Sequence, residues 1–270
     1  MKTLLEKTKR ELEIRKYSLQ TKKTYLRLLT NYFQFKKVNL EKFEEENIKN
    51  FLQILVRKNS SSSLINQAIN AIQFFYREVI HTPRKVHFRY AKKPQKLPVV
   101  LTHNEIEKIL ENISNGKHRL IISLSYGSGL RISEARDLKV QDLDFENLTI
   151  HPKGAKGGKD RLTVFPEKLK THLQNQIAGK NSDEFIFESN RGGKLSERSL
   201  QKVFKQALQR SEIRKAATFH SLRHSFATHL LENGTDVRYV QELLGHKNIR
   251  TTQIYTRVTN PKLRNIKSPL

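Results

Sequence analysis

Residues 81–98 read "HTPRKVHFRYAKKPQKLP", with three prolines, six Lys or Arg and no acid. Proline has no backbone N–H and disfavours helix at and before its own position. The stretch therefore reads as a basic linker between two regions of different texture. A solvated hinge and a strand lying across a phosphate backbone both fit it.

On its N-terminal side, residues 1–80 read as helices. "SLQTKKTYLRLLTNYFQFKK" (18–37) opens with Ser18 as an N-cap and sets Tyr25, Leu28, Leu29, Tyr32, Phe33 and Phe35 along a broad apolar stripe. "SLINQAINAIQFFYREV" (63–79) repeats Ile65, Ala68, Ile69, Ile72, Tyr76 and Val79 at the spacing of a buried helix face. "ENIKNFLQILVRK" (46–58) supplies a shorter helix, and the last serine of "NSSSS" (59–63) is a candidate cap for the next one. The sum is a small, basic unit of about four helices.

On its C-terminal side, "LTHNEIEKILENI" (101–113) starts with a capping box, Thr102 to Glu105. An apolar helix, "RLIISLSYGSG" (119–129), runs into glycines where it should stop. "LTIHPKGAKGGKDRLTVFP" (148–166) predicts two short strands joined by a Gly- and Lys-rich turn. "EFIFESNRGGKLSERSLQKVFKQAL" (184–208) predicts a strand, a glycine turn and a capped helix. Two more helices follow, "FHSLRHSFATHLLEN" (219–233) and "TDVRYVQELL" (235–244), closed by Gly234 and Gly245. Residues 99–270 thus form a second domain, mostly α with a small β-hairpin, and the whole chain is mainly α.

Fifty-one Lys and Arg against 26 Asp and Glu leave 270 residues with a net charge of +25. Residues 1–100 hold 22 basic and 8 acidic side chains and residues 101–270 hold 29 and 18, so both regions carry the excess. A polyanion partner follows, because neutralising phosphates releases counterions. There is no cysteine, which removes disulfides and thiolate chemistry together. No apolar run approaches the roughly 18 residues of a membrane span, no basic amphipathic helix with large exposed apolars marks a membrane surface, and "MKTLLEKTKREL" is no signal peptide. The expected location is the cytoplasm, at the nucleoid.

Four stretches could carry chemistry. In "FHSLRHSFATHLL", Phe219, Leu222, Phe226 and Leu230 fix the buried side, and His220 and Arg223 share a neighbouring face. A guanidinium beside an imidazole suits an anion, since Arg offers a fork for two phosphate oxygens. His220 and His224 at i, i+4 have zinc-ligand spacing, but the glutamate of a zinc-protease helix is missing and a cationic Arg lies between them. In "GSGLRISEARDL", Arg131 follows a glycine-rich helix end with Glu134 three residues on. "KGAKGGKDR" gathers Lys153, Lys156, Lys159 and Arg161 at a hairpin tip without P-loop spacing. "GHKNIRTTQIYT" (245–256) places His246 and Tyr255 near the end. Singly, each also fits an ordinary surface feature.

Their order, "GLRISE", a lysine hairpin, "HSLRH", "LLGH" and "IYT", resembles the tyrosine recombinases of the phage-integrase family, above all the Xer type, over essentially the whole chain. The resemblance implies a helical, SAM-like core-binding domain (1–80), the linker (81–98), and a mixed α/β catalytic domain with a C-terminal tail (99–270). It implies Arg131 and Arg223 as the catalytic arginines, His220 and His246 as the histidines, Tyr255 as the nucleophile, Lys156 as the hairpin lysine and Glu134 as support for Arg131. Lys153 and Lys159 lie close enough to Lys156 to stand as alternatives. With Arg161 and the linker's Arg84, Lys85, Lys92 and Lys93, they are expected to touch DNA.

The implied reaction is metal- and cofactor-independent transesterification: the tyrosine oxygen attacks a phosphodiester, leaving a 3′-phosphotyrosyl link and a free 5′-hydroxyl. The implied partner is a double-stranded recombination site gripped by both domains. A homo-tetramer would act on two duplexes, the protein being monomeric or dimeric when free. The tail "TRVTNPKLRNIKSPL" would pack on a neighbouring protomer. A type IB topoisomerase uses a similar residue set without this two-domain layout. An integron integrase would need an insertion before "HSLRH" for which there is no room. A non-catalytic DNA-binding protein would need the motif set to be coincidental.

Overall fold

The computed structural model describes residues 1–82, 88–92, 97–153, 161–190, 192–246 and 248–256. The chain divides into two units, Met1–Gln95 and Lys96–Leu270.

In the first unit, α1 (Lys2–Ile14), α2 (Leu19–Lys36), α3 (Glu45–Arg57) and α4 (Ser62–Phe74) pack around one core, and a π-helical turn at Phe75–Val79 extends α4. Ser18 starts α2 by accepting the Thr21 N–H at 3.2 Å. The residue that starts α4 is Ser61, which accepts from the Leu64 N–H at 3.2 Å, rather than Ser63; α4 already begins at Ser62. Leu28, Leu29, Tyr32 and Phe33 of α2 meet Ile48, Phe51, Ile72 and Phe75, all buried. Each such burial stabilises by about 1.5–3 kcal/mol. Part of the expected linker belongs to this unit. The Asn66 side chain exchanges two hydrogen bonds with the Ala91 backbone (2.7 and 3.0 Å), Tyr90 donates to Asn70 at 2.7 Å, and Phe88 packs on the core. At residues 88–91 the segment is therefore neither a solvated hinge nor a bare strand.

The second unit opens with α5 (His103–Glu111), entered through the Thr102–Glu105 capping box, followed by α6 (Gly116–Gly127) and α7 (Ile132–Asp137). Short strands β1 (Leu143–Asp144), β2 (Thr149–Ile150) and β3 (Thr163–Val164) form an antiparallel sheet in the order β1-β2-β3, with Leu143 opposite Ile150 and Ile150 opposite Thr163. The expected hairpin is β2 and β3; β1 adds an edge that Leu143 and Asp144 alone did not announce. The strand expected at "EFIF" is reduced to single bridges, Lys139 to Phe185 and Glu188 to Lys194.

Helices α8 (Lys170–Ile177), α9 (Glu197–Arg210), α10 (Phe219–Glu232), α11 (Val237–Leu244) and α12 (Gln253–Thr256) complete the unit. Its core runs through Ile106, Ile121, Leu124, Phe187, Leu200, Phe204 and Leu222. Helix α10 is buried on nearly every side, so it crosses the middle of the unit. Among the described residues, no helix is long and apolar enough to cross a membrane.

Candidate active site

Gly129 organises the site. Its φ is +59°, and a Cβ there would lie 2.4 Å from the Phe226 ring, so only glycine fits the turn between α6 and α7. That turn presents the Gly129 carbonyl to the Arg223 Nη1 at 2.6 Å and to the Arg161 Nη2 at 3.4 Å. Immediately after it, Arg131 starts α7. Its backbone N–H donates to Glu134 Oε2 at 2.8 Å and its Nη1 donates to Oε1 at 2.6 Å.

Glu134 is the hub of three guanidiniums. Arg161 donates to it through Nη2 at 2.8 Å, and the Arg223 Nη1 lies 3.8 Å from the same oxygen. Glu134 is 5 % exposed, Arg161 8 % and Arg223 1 %. Burial pushes the Glu134 carboxyl up, but Arg161, the Arg131 N–H and Arg223 together pull it down to about 2. Desolvation, aided by Arg131 and Arg161, lowers Arg223 to about 9. One carboxylate thus faces three cations, and the buried Arg161 Nε and Nη1 have no hydrogen-bond partner among the described residues.

Arg161 was expected at the hairpin tip, facing DNA. It instead runs inward from a position two residues before β3, under Gly245, where a Cβ would lie 2.7 Å from its Cδ. Gly245 ends α11 in the left-handed conformation at φ +62°, and the chain turns to bring His246 into the site. His246 Nδ1 is 2.9 Å from Thr252 Oγ1. Desolvation and the Arg223 and Arg131 charges lower His246 to about 4.

His220 lies at the exposed rim, where desolvation of its ring with the charges of Arg223 and Arg131 lowers its pKa. Tyr255 on α12 is 3 % exposed and packs with Phe226, Ala227, Val240 and Leu244. Its ring is stacked with that of His246 at 6.4 Å, and its hydroxyl lies 2.9 Å from His224 Nδ1. Burial raises the Tyr255 pKa, opposed by Arg223 and Arg131, so the phenol holds its proton at neutral pH.

The structure therefore brings together Arg131, Glu134, His220, Arg223, His246 and Tyr255 from α7, α10, α12 and the turn after α11. Arg161 and His224 join them, and neither was singled out for this place. His224 carried a usable signal, since it follows Arg223 and lies one turn beyond His220. Lys153 stands apart, exposed and 3.5 Å from Asp142. Lys92 is an exposed residue of the first unit. Arg84, Lys85, Lys93, Lys156, Lys159 and the tail beyond Thr256 lie outside the described residues. Among the described residues, no group of three or more His, Asp or Glu is placed to hold a metal ion.

Residues 99–261 match the phage integrase family and residues 4–85 its N-terminal SAM-like domain. The chain belongs to the phage integrase family of tyrosine recombinases. It is 38% identical over 271 residues to the tyrosine recombinase XerA of Pyrococcus furiosus, covering 94% of both chains. It is 34% identical to the tyrosine recombinase XerD of Oceanobacillus iheyensis, covering 91% of this chain and 90% of that one. Among solved structures, the XerH site-specific recombinase in a post-cleavage complex with a palindromic difH substrate superimposes with a TM-score of 0.74 at 26% identity, covering 93% of this chain and 80% of that one. This recombinase accordingly performs site-specific DNA cleavage and rejoining through a tyrosine.

Proposed function

We propose that the recombinase cuts one strand of a double-stranded recombination site with Tyr255 and reseals it by the reverse attack. The observation that carries this is the convergence of a buried tyrosine hydroxyl on a cluster with three guanidiniums and one carboxylate. Such a cluster has a surplus of positive charge in a desolvated place, which favours an anion. A phosphodiester satisfies it. Arg131 and Arg223 neutralise the non-bridging oxygens as charge builds, and losing one such donor costs about 3–4 kcal/mol.

His220 bonds a phosphate oxygen and receives the proton that Tyr255 gives up on attack, and His246 donates to the phosphate. As Tyr255 forms its bond to phosphorus, the 5′-oxygen departs and takes a proton from Lys156, a step worth roughly 10² to 10⁴ in rate. Lys153 and Lys159 are the alternative donors. The covalent link retains the bond energy, so resealing needs no other reactant. Glu134 aligns Arg131, and the remaining basic residues, Arg84, Lys85, Lys92 and Lys93 among them, neutralise phosphates along the duplex.

On this reading four protomers act together on a defined site, in the cytoplasm at the nucleoid, with the C-terminal tail of each packing on a neighbouring protomer. The biological setting is dimer resolution or mobile-element integration and excision. The decisive experiment compares Tyr255→Phe with wild type on genomic DNA fragments. The variant should bind DNA and form no covalent adduct; adducts that persist overturn the assignment.

A further inference from the structure

We infer that His224 is a positioning residue for the Tyr255 nucleophile, its Nδ1 holding the phenolic O–H inside the site. The inference rests on the reading of Tyr255 as the attacking group. It starts from the 2.9 Å contact between His224 Nδ1 and the Tyr255 hydroxyl. Their ring centroids lie 5.5 Å apart, and the His220 ring stands nearly perpendicular to that of His224 at 4.5 Å. His220 is the histidine of this helix that the family resemblance implies for the site. It lies one helical turn before His224, at the exposed rim.

Geometry and acidity fix the direction of this bond. Desolvation, with His220 and Arg223 close by, lowers His224 to about 4, so the ring is neutral at ordinary pH and one nitrogen is an acceptor. A phenol O–H is a stronger donor than a neutral imidazole N–H, so Tyr255 donates to Nδ1 and the ring proton sits on Nε2. With its O–H directed at His224 until the moment of attack, the oxygen turns its lone pairs away from that imidazole. Those lone pairs are what attack phosphorus.

The need for such a guide comes from the element that carries the tyrosine. Helix α12 is four residues long, Gln253–Thr256. A helix that short has little stability of its own. Its apolar neighbours bury the Tyr255 ring without fixing the torsion of the hydroxyl. Helix α10, by contrast, is fourteen residues long, crosses the middle of the unit and also carries Arg223. His224 therefore ties the nucleophile's oxygen to the same rigid element that holds a phosphate-binding arginine. A misplacement of about 1 Å at the reacting atoms costs roughly 10²-fold in rate.

The test uses single-turnover adduct formation on nicked duplexes bearing a cleavage sequence first mapped with the wild-type protein. His224→Phe keeps a ring and removes the acceptor; it should slow adduct formation by about 10- to 100-fold with DNA affinity unchanged. His224→Asn places an amide oxygen where Nδ1 sits and should recover most of the rate. His224→Gln places its polar atoms one bond further out and should not. An unchanged rate in His224→Phe, or equal rates for Asn and Gln, overturns the inference, and the Asn and Gln pair decides it if the Phe variant fails to fold. Adducts formed by Tyr255→Phe would instead remove the nucleophile reading on which it rests.

Discussion

Lys36 in the first unit and Arg223 in the second are both buried cations, yet their surroundings are balanced in opposite ways. Lys36 Nζ donates to the Lys42 carbonyl and to the Tyr76 hydroxyl at 3.2 Å, and the Glu44 carboxylate lies at 3.6 Å. Tyr76 donates its O–H to the Leu40 carbonyl at 3.0 Å. Desolvation lowers the Lys36 pKa, opposed by Glu44, and the single buried cation has one carboxylate beside it, which the exposed Lys42 also meets at 3.2 Å from the solvent side. Around Arg223 three guanidiniums share one carboxylate, and two N–H-bearing nitrogens of Arg161 find no acceptor among the described residues. A balanced knot holds helices together. A surplus of buried positive charge costs stability until an anion arrives, and that is the mark of a binding site.

The largest effect should come from removing the hub carboxylate. Glu134→Gln leaves three guanidiniums without a counter-charge and should destabilise the second unit by about 3–5 kcal/mol, with adduct formation lost. Lys36→Met should cost only about 1–2 kcal/mol, because Glu44 is partly exposed and its charge stays solvated. Calorimetry on both variants checks the ranking; equal losses would break the contrast between the two clusters.

An intermediate effect is expected from anions. Sulfate at a hundredfold its Kd should raise the stability of the second unit by about 2.7 kcal/mol. Arg161→Met, which removes one surplus cation, should weaken that response. Thermal melting against sulfate at constant ionic strength reads it directly, and an identical response in Arg161→Met would mean that Arg161 only props up Glu134.

The smallest effect concerns pH. His224 and His246 titrate near 4 in the folded chain, below the ordinary histidine value of about 6.5. Their depressed values mean that the unfolded chain binds protons first as pH falls. Stability is therefore full above about 6.5 and declines toward 4. With the rings only partly buried, the loss should be of the order of 1 kcal/mol. His246→Gln should flatten the melting-temperature profile between pH 6.5 and 4.5 relative to wild type.

Much of the fold is local in origin and was therefore legible. Ser18 and the Thr102–Glu105 box mark helix starts because their oxygens meet orphan N–H groups a few residues away. Gly245 marks a helix end because its φ of +62° suits a residue without a Cβ. Strand β1 was missed because Leu143 and Asp144 show no alternation, and their pairing with β2 is what makes them a strand. Ser63 was preferred over Ser61 because four serines in a row give the pattern no reason to choose. In the site, Arg131, His220, Arg223, His246 and Tyr255 could be named from motif order. Arg161 could not be placed, because the hairpin's composition says nothing about which way a side chain at its base turns.

The sequence by itself determined the two-part layout, the helix boundaries that caps and glycines enforce, the cationic balance and which residues stand as candidates for handling a phosphodiester. These follow from spacing, charge and local hydrogen bonding, which act over a few residues. Only the tertiary structure decided that Arg161 joins Glu134 across 27 residues and that His224 meets Tyr255 across 31. Such meetings depend on how α7, α10, α12 and β3 pack, and packing is set by the shape of a whole core rather than by any stretch of chain. The hydroxyl of Tyr255 is held by a helix thirty residues away because α10 crosses the middle of that core.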